Sequence, residues 1–467
     1  GWRKASACDS GAASHSHSFP TTEGAFCHDT IGDGRTFAGI MNRCGYDYVT
    51  LGNHDFNYGM AYLDSYLDAL HARCVCQNVR RADGSTRFPA RVHTLENGLR
   101  VGIVGIVTDY VNIWERPEHL SGITIEDPLP AAASALALLK GNVDLTVCVY
   151  HGGFERDLAS GRTLSATREN VAYRICQELG FDILLTGHQH MSVPGQMVQG
   201  TFVVQPSDKG QEFLKVEAAV SDDGAQFSSR TIHAAGPCRP EWLAEFSSME
   251  RGAQDWLDEV VGHLPEPMTI DTPLHMAASG NPLADLFNTV QLLASGAQIS
   301  VTSLANDPAG LPQTVRRRDI LNAYPYTNTL TVMQITGAIL RRAMERSAEY
   351  FTKGEDGSLA ISDAFLKPKV EHYNYDYYAG VHYVFDCGMP VGHRVTELRV
   401  NGVPVADEDV FTACLSSYRA SGTGGYDCYS GCPVLREIGT EMSDLLLDFF
   451  KDPSAPQRIV PCDFRVI

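Results

Sequence analysis

Apolar residues come in short bursts along this chain, each closed by glycine or by a polar loop. Tyr48, Val49, Thr50 and Leu51 stop at Gly52, and Val101 to Val107 (VGIVGIV) is an unbroken run. Leu145, Val147, Cys148 and Val149 lead to Tyr150, and Ile183, Leu184 and Leu185 lead to Thr186. Runs of this length bounded by turn residues predict buried strands. Between them the spacing changes to threes and fours. Arg35 to Arg43 predicts a helix with Phe37, Ile40 and Met41 on one face, and Met60 to His71 another with Leu63, Tyr66, Leu67 and Leu70. Pro128 to Lys140, rich in Ala and Leu, predicts a third. After Gly200, TFVVQP and FLKVEAAV read as strands. Strand and helix in alternation predict a layered α/β domain that closes near Asp222.

Further on, Trp242, Phe246, Met249, Ala253, Trp256 and Val260 recur at helical spacing. They predict one bridging helix from Pro240 to Leu264 with an apolar stripe that packs on a core. Pro265, Pro267 and Pro273 then suit a boundary. This reading divides the chain into a first domain over 1–236, a linker helix and hinge over 237–270, and a second, α+β domain over 271–467. The second domain opens with a helix from Asn281 to Leu293. Residues 1–36 are rich in Gly, Ser, His and Thr and show no period, so they read as a flexible start.

Composition narrows the partners. The chain has 467 residues, enough for more than one domain, and 44% of them are hydrophobic. Its net charge of −19 argues against a nucleic-acid polymer as ligand, and an anionic small molecule would need local compensation such as metal ions. No run reaches the roughly 20 apolar residues of a membrane span. The 13 cysteines cannot all pair, and Cys148 and Cys414 sit in apolar runs as buried thiols do. Neither Cys74-x-Cys76 nor Cys428-x-x-x-Cys432 has the paired spacing of a structural zinc site. The cysteine content leans towards a reducing, cytoplasmic compartment.

Three of the predicted strands end in chemistry. The first delivers Gly52-Asn53-His54-Asp55-Phe56-Asn57, the second His151-Gly152-Gly153, and the third Gly187-His188-Gln189-His190. An Asn amide oxygen can ligate a metal, imidazole is the commonest metal ligand, and histidines at i and i+2 suit a loop that grips an ion. One such end is an ordinary polar turn; three in one domain point to a metal site at the carboxyl edge of a sheet.

Together GNHDFNYG, H-G-G and G-H-x-H resemble the calcineurin-like metallophosphoesterases, and within them the 5′-nucleotidase and 2′,3′-cyclic-nucleotide phosphodiesterase family. The resemblance implies a layered αββα metallophosphoesterase domain followed by an α+β 5′-nucleotidase C-terminal domain. It implies two divalent metal ions (Mn, Zn, Mg, Co or Fe), with Asn53, His151 and His188 as ligands of one and His190 as a ligand of the other. His54 takes the place of the catalytic histidine, and Asp55 and Asn57 stand where a residue orients it. The family's D-x-H and G-D motifs are not recognisable before Asn53; Asp9, His15, His17, His28, Asp29 and Asp33 are the nearby candidates. This leaves three ligands of one metal and one of the other, without the Asp that bridges the two in the family. The reading therefore treats the first domain as incomplete at its amino terminus, with a degenerate protein as the alternative. Family members are often periplasmic or secreted, against the lean from the cysteines.

In the second half, Tyr373-Asn374-Tyr375-Asp376 and Tyr418-Arg419-Ala420-Ser421-Gly422 resemble the two aromatic segments that hold a nucleoside in this family. The substrate-binding candidates are Tyr375, its rival Tyr378, Tyr418, Arg419 and Gly422, while Tyr383 and Tyr429 suit core packing. Glu345 to Phe351 (ERSAEYF) resembles the cyclic-phosphodiesterase branch, and Ser303-Leu304-Ala305-Asn306 lacks the Arg of the 5′-nucleotidase phosphate loop. The function implied is hydrolysis of 2′,3′-cyclic nucleotides and 3′-nucleotides to nucleoside and phosphate. The alternatives are a 5′-nucleotidase or UDP-sugar hydrolase, and a catalytically impaired nucleotide-binding protein. A site split between two domains further implies a hinge rotation through Pro240 to Pro273.

Overall fold

The computed structural model describes residues 34–164, 168–189, 191–207, 210, 212–221, 224–233, 239–326, 328–354, 357–367 and 369–467. The chain forms two compact units, Gly1–Gln254 and Asp255–Ile467.

The first unit opens with helix α1 (Arg35–Cys44), strand β1 (Tyr48–Val49) and helix α2 (Gly59–Ala69). It is built on a six-stranded sheet. In chain order its strands are β2 (Arg91–Thr94), β3 (Arg100–Val107), β4 (Leu145–His151), β5 (Ile183–Thr186), β6 (Val193–Val198) and β7 (Thr201–Gln205). Their spatial order is β6-β7-β5-β4-β3-β2. The four central strands are parallel, and β2 and β6 close the edges in antiparallel pairs. Both faces are covered, which is why β3 and β4 read as continuous apolar runs. Val104, Ile106, Cys148, Tyr150 and Leu184 pack against helices α3 (Pro128–Leu139) and α4 (Ala172–Glu178). Val101, Ile103, Val147, Val149 and Ile183 cluster on the opposite face with Tyr48 and Val75. Asp127 caps α3 by accepting the Leu129 N–H, with Pro128 at the first helical position.

Two boundaries differ from the expectation. The first domain does not close near Asp222: β8 (Glu212–Ser221) pairs antiparallel with β9 (Gly224–His233) in a hairpin of ten-residue strands. Its alternating, largely exposed residues carry too little apolar signal for the second strand to be read. Helix α5 (Pro240–Leu257) stops seven residues short of Leu264, and Val260–His263 instead pairs antiparallel with Thr314–Arg316. Two adjacent β-branched valines, 260 and 261, favour a strand, and Pro265 ends it. Four residues of the segment expected as linker and hinge therefore form a strand of the second unit, and the division between units falls inside the linker helix.

In the second unit, β10 (Ile299–Ser303), β11 (Leu330–Thr336), β12 (Asp376–Ala379), β13 (Val410–Ser416) and β14 (Val434–Ile438) form a mixed sheet in the order β12-β10-β13-β11-β14. Helices α6 (Pro282–Ser295) and α7 (Gly337–Ala348) contribute to its core. The expected helix at Asn281 begins on that residue, whose side chain accepts the Leu283 N–H as the cap. Tyr383 and Tyr429 are core residues with no exposed surface.

Candidate metal centre and nucleoside-binding segments

The site in the first unit lies at the carboxyl ends of β1, β4 and β5. After β1 the chain turns at Gly52 into a 3-10 turn over Asn53–Phe56. Asp55 holds that turn: its Oδ2 accepts the Gly52 N–H at 2.6 Å. The turn presents Asn53, whose Oδ1 lies 2.7 Å from Nε2 of His151, the last residue of β4. Both side chains are buried. The His188 ring stands 5.3 Å from that of His151, centroid to centroid, edge to face. Its backbone is left-handed, with φ 71°, which a residue with a Cβ adopts only under constraint.

Several groups hold this arrangement. His188 Nε2 meets Glu169 Oε1 at 2.9 Å, and Trp114 stacks on its ring at 5.7 Å. Gln189 fixes the loop after β4, accepting the Phe154 N–H at 2.7 Å and donating to the Phe154 carbonyl at 3.1 Å. A Cβ on Gly153 would overlap the Gln189 side chain, and one on Gly152 the Tyr150 ring, so H-G-G is needed for close packing as well as for a turn.

His54 is the half-buried member of its motif. Asn57 Nδ2 lies 3.3 Å from its Nδ1. An amide NH2 donates, so Nδ1 accepts and the hydrogen of the neutral ring is on Nε2. Asn57, then, lies against this histidine, while Asp55 is engaged with the turn backbone.

The residues fit a divalent cation in part. One amide oxygen and two imidazoles converge, a donor set that accepts Mn, Fe, Co or Zn. His190, expected as a ligand of a second ion, lies outside the described residues, as do Asp9, His15, His17, His28, Asp29 and Asp33. Among the described residues no group of three or more His, Cys, Asp or Glu side chains is gathered as if for a metal. Glu169 and Trp114 were not among the sequence candidates; the available hints were an indole between the first two histidine motifs and a carboxylate between the last two.

The second unit corrects the aromatic candidates. Tyr375 is 2% exposed: its ring packs on Tyr350, Phe351 and Tyr377 at 4.9, 5.6 and 5.0 Å, and its hydroxyl donates to the Ala277 carbonyl at 2.9 Å. Tyr378 has no exposed surface, and its hydroxyl lies 2.9 Å from Ser347 Oγ. Both are core residues, because β12 is the edge strand of the sheet yet is covered on both faces. Arg419 is also interior. Its Nε and Nη2 reach Asp376 Oδ1 at 3.1 and 2.9 Å, Nη1 reaches Thr423 O and Asn374 Oδ1 at 2.7 and 3.4 Å, and Nη2 also reaches Tyr373 O at 3.2 Å. An arginine has five N–H donors and these contacts occupy them. The guanidinium also lies 4.0 Å from the Tyr426 ring centroid. Burial pushes the Asp376 carboxyl up to about 6 while the Arg419 charge pulls it down. Arg419 thus braces the first aromatic segment against the Gly-rich loop. Tyr418 and Tyr373 are partly exposed, and Gly422 supplies a left-handed turn at φ 87°.

Residues 32–192 match the calcineurin-like phosphoesterase family, and residues 260–431 match the 5′-nucleotidase C-terminal domain. A Staphylococcus aureus protein assigned as a 5′-nucleotidase, solved in complex with α-ketoglutarate, superposes with a TM-score of 0.87 at 33% identity, over 95% of this chain and 88% of its own. The chain belongs to the 5′-nucleotidase family. Two curated relatives of this family are more distant in sequence. The trifunctional nucleotide phosphoesterase protein YfkN of Bacillus subtilis is 24% identical over 88% of the chain, which spans only 32% of YfkN's length. The 2′,3′-cyclic-nucleotide 2′-phosphodiesterase/3′-nucleotidase of Yersinia enterocolitica is 24% identical over 82% of the chain and 69% of its own length. The fold expected from the resemblance, a metallophosphoesterase domain followed by the family's C-terminal domain, is the fold present. Among the described residues no helix is long and apolar enough to cross a membrane.

Proposed function

We propose that this 5′-nucleotidase family member hydrolyses phosphoesters of nucleotides, with 2′,3′-cyclic nucleotides and 3′-nucleotides as the preferred substrates. The convergence of Asn53 Oδ1 and His151 Nε2 at 2.7 Å, beside the His188 ring, carries the reading. A divalent ion held by these three would supply charge neutralisation for the phosphate and a more acidic water. His54 then has the half-exposed position and the Nε2 hydrogen of a group that stabilises or protonates the leaving oxygen. Tyr418, with Tyr373, is the candidate platform for the base, since every base offers a π face. The preference for cyclic and 3′ substrates rests on the ERSAEYF segment and on Ala305 and Asn306 standing where an Arg is expected.

A 5′-nucleotidase is the second reading, favoured by the similarity to the Staphylococcus aureus protein. Phosphate release from 2′,3′-cyclic AMP, 3′-AMP and 5′-AMP with added Mn²⁺ separates them. Turnover of the first two substrates supports the proposal, and turnover of 5′-AMP alone supports the second reading. Adenosine binding without turnover of any of the three would identify a binding protein.

A further inference from the structure

One dipeptide reaches both His188 and the loop that follows His151. Glu169 and Asn170 precede α4. Glu169 Oε1 faces His188 Nε2 at 2.9 Å, and Asn170 Oδ1 accepts the Gly153 N–H at 2.6 Å, two residues beyond His151. The dipeptide is itself anchored. Thr108 Oγ1 and Tyr150 OH donate to the Glu169 carbonyl at 2.8 and 3.3 Å. Its carboxylate therefore approaches His188 from a fixed point, while Trp114 covers the ring. The left-handed backbone of His188 costs on the order of 1–3 kcal/mol and persists only where the surroundings hold it.

A carboxylate only accepts hydrogen bonds, so the ring nitrogen it faces carries the hydrogen. In the neutral imidazole the lone pair is then on Nδ1. Which nitrogen of a ligand histidine meets a metal is set by the hydrogen bond that the other nitrogen makes.

We propose that Glu169 is the positioning residue of the metal centre: it holds His188 as the Nε2–H tautomer and so makes Nδ1 the nitrogen offered to a divalent cation. This rests on the metal reading above. Glu169→Gln keeps the size of the side chain but introduces an NH2 that can donate to Nε2, which favours the opposite tautomer. Nitrogen NMR of the metal-free, histidine-labelled chain should show Nε2–H for His188 in the parent and loss of that preference in E169Q. Calorimetric titration with MnCl2 should show roughly a ten- to hundred-fold weaker Kd in E169Q, with partial recovery in E169D. A circular dichroism spectrum shared by parent and variant separates this effect from misfolding. If E169Q keeps both the tautomer and the Mn²⁺ affinity of a parent that binds, the positioning role fails alone. A parent that takes up no Mn²⁺ would instead overturn the metal reading and this proposal with it.

Discussion

His54 and its neighbours show how one motif divides its labour. Asp55 closes the turn on the Gly52 N–H, and Asn57 lies against the imidazole. His54→Ala should lower kcat on 2′,3′-cyclic AMP by about 10²- to 10⁴-fold with little change in Mn²⁺ affinity. A variant that turns over like the parent would remove His54 from the chemistry. At Gly153 the constraint is steric. Gly153→Ala forces its new methyl into Gln189, an overpacking cost of about 1–3 kcal/mol, visible as a lower urea midpoint. An unchanged midpoint would mean that the loop after β4 has room to move. The motif residues were legible because each ends an apolar run. The division of roles between Asp55 and Asn57 was not, since both lie within reach of the same ring and only the turn geometry decides.

At the scale of elements, the second unit depends on a buried brace between β12 and the Gly-rich loop. Arg419→Ala would leave Asp376 unpaired in the interior, where burial without the guanidinium pushes its carboxyl further up so that it takes a proton at neutral pH, a loss of about 3–5 kcal/mol by urea unfolding. A loss near zero would show that water or a neighbouring group replaces the guanidinium. The resemblance marked the two segments, and Tyr375, Tyr378 and Arg419 within them are buried, which the sequence did not foretell. The stretch Tyr375 to Tyr378 is aromatic on both faces of an edge strand, so no alternation marks an open side. Nearby, burial holds the His372 imidazole below its ordinary pKa, with Tyr350 OH 2.7 Å from its Nδ1. The unfolded chain takes up a proton that the folded one resists. The stability this residue lends is therefore complete above the ordinary value near about 6.5 and drains as the pH falls below it. Hydrogen exchange of residues 372–378, corrected for intrinsic rates, should be faster about one pH unit below that value than about one unit above it. Equal corrected rates would mean that the imidazole is protonated without opening the segment.

For the whole molecule, charge is the dominant long-range property. A chain of net charge −19 repels an anionic nucleotide, and salt screens that repulsion as the Debye length falls from about 30 Å at 0.01 M to about 8 Å at 0.15 M. With Mn²⁺ held saturating, kcat/KM should rise with ionic strength over that range; a fall would point to local cationic steering that outweighs the net charge. The parallel sheet and its three polar strand ends could be read from the sequence because burial on both faces leaves unbroken apolar runs. Strand β9 and the strand at Val260–His263 could not, because the first is mostly exposed and the second borrows its partner from residues far along the chain.

The indole of Trp114 lies flat against the His188 ring, 5.7 Å between centroids at 26°. The chain thus carries an optical reporter at its own centre. A paramagnetic ion arriving beside that imidazole should dim the tryptophan emission, and the dimming should vanish in Trp114→Phe. Occupancy of the site could then be followed by light alone, before any substrate has been chosen.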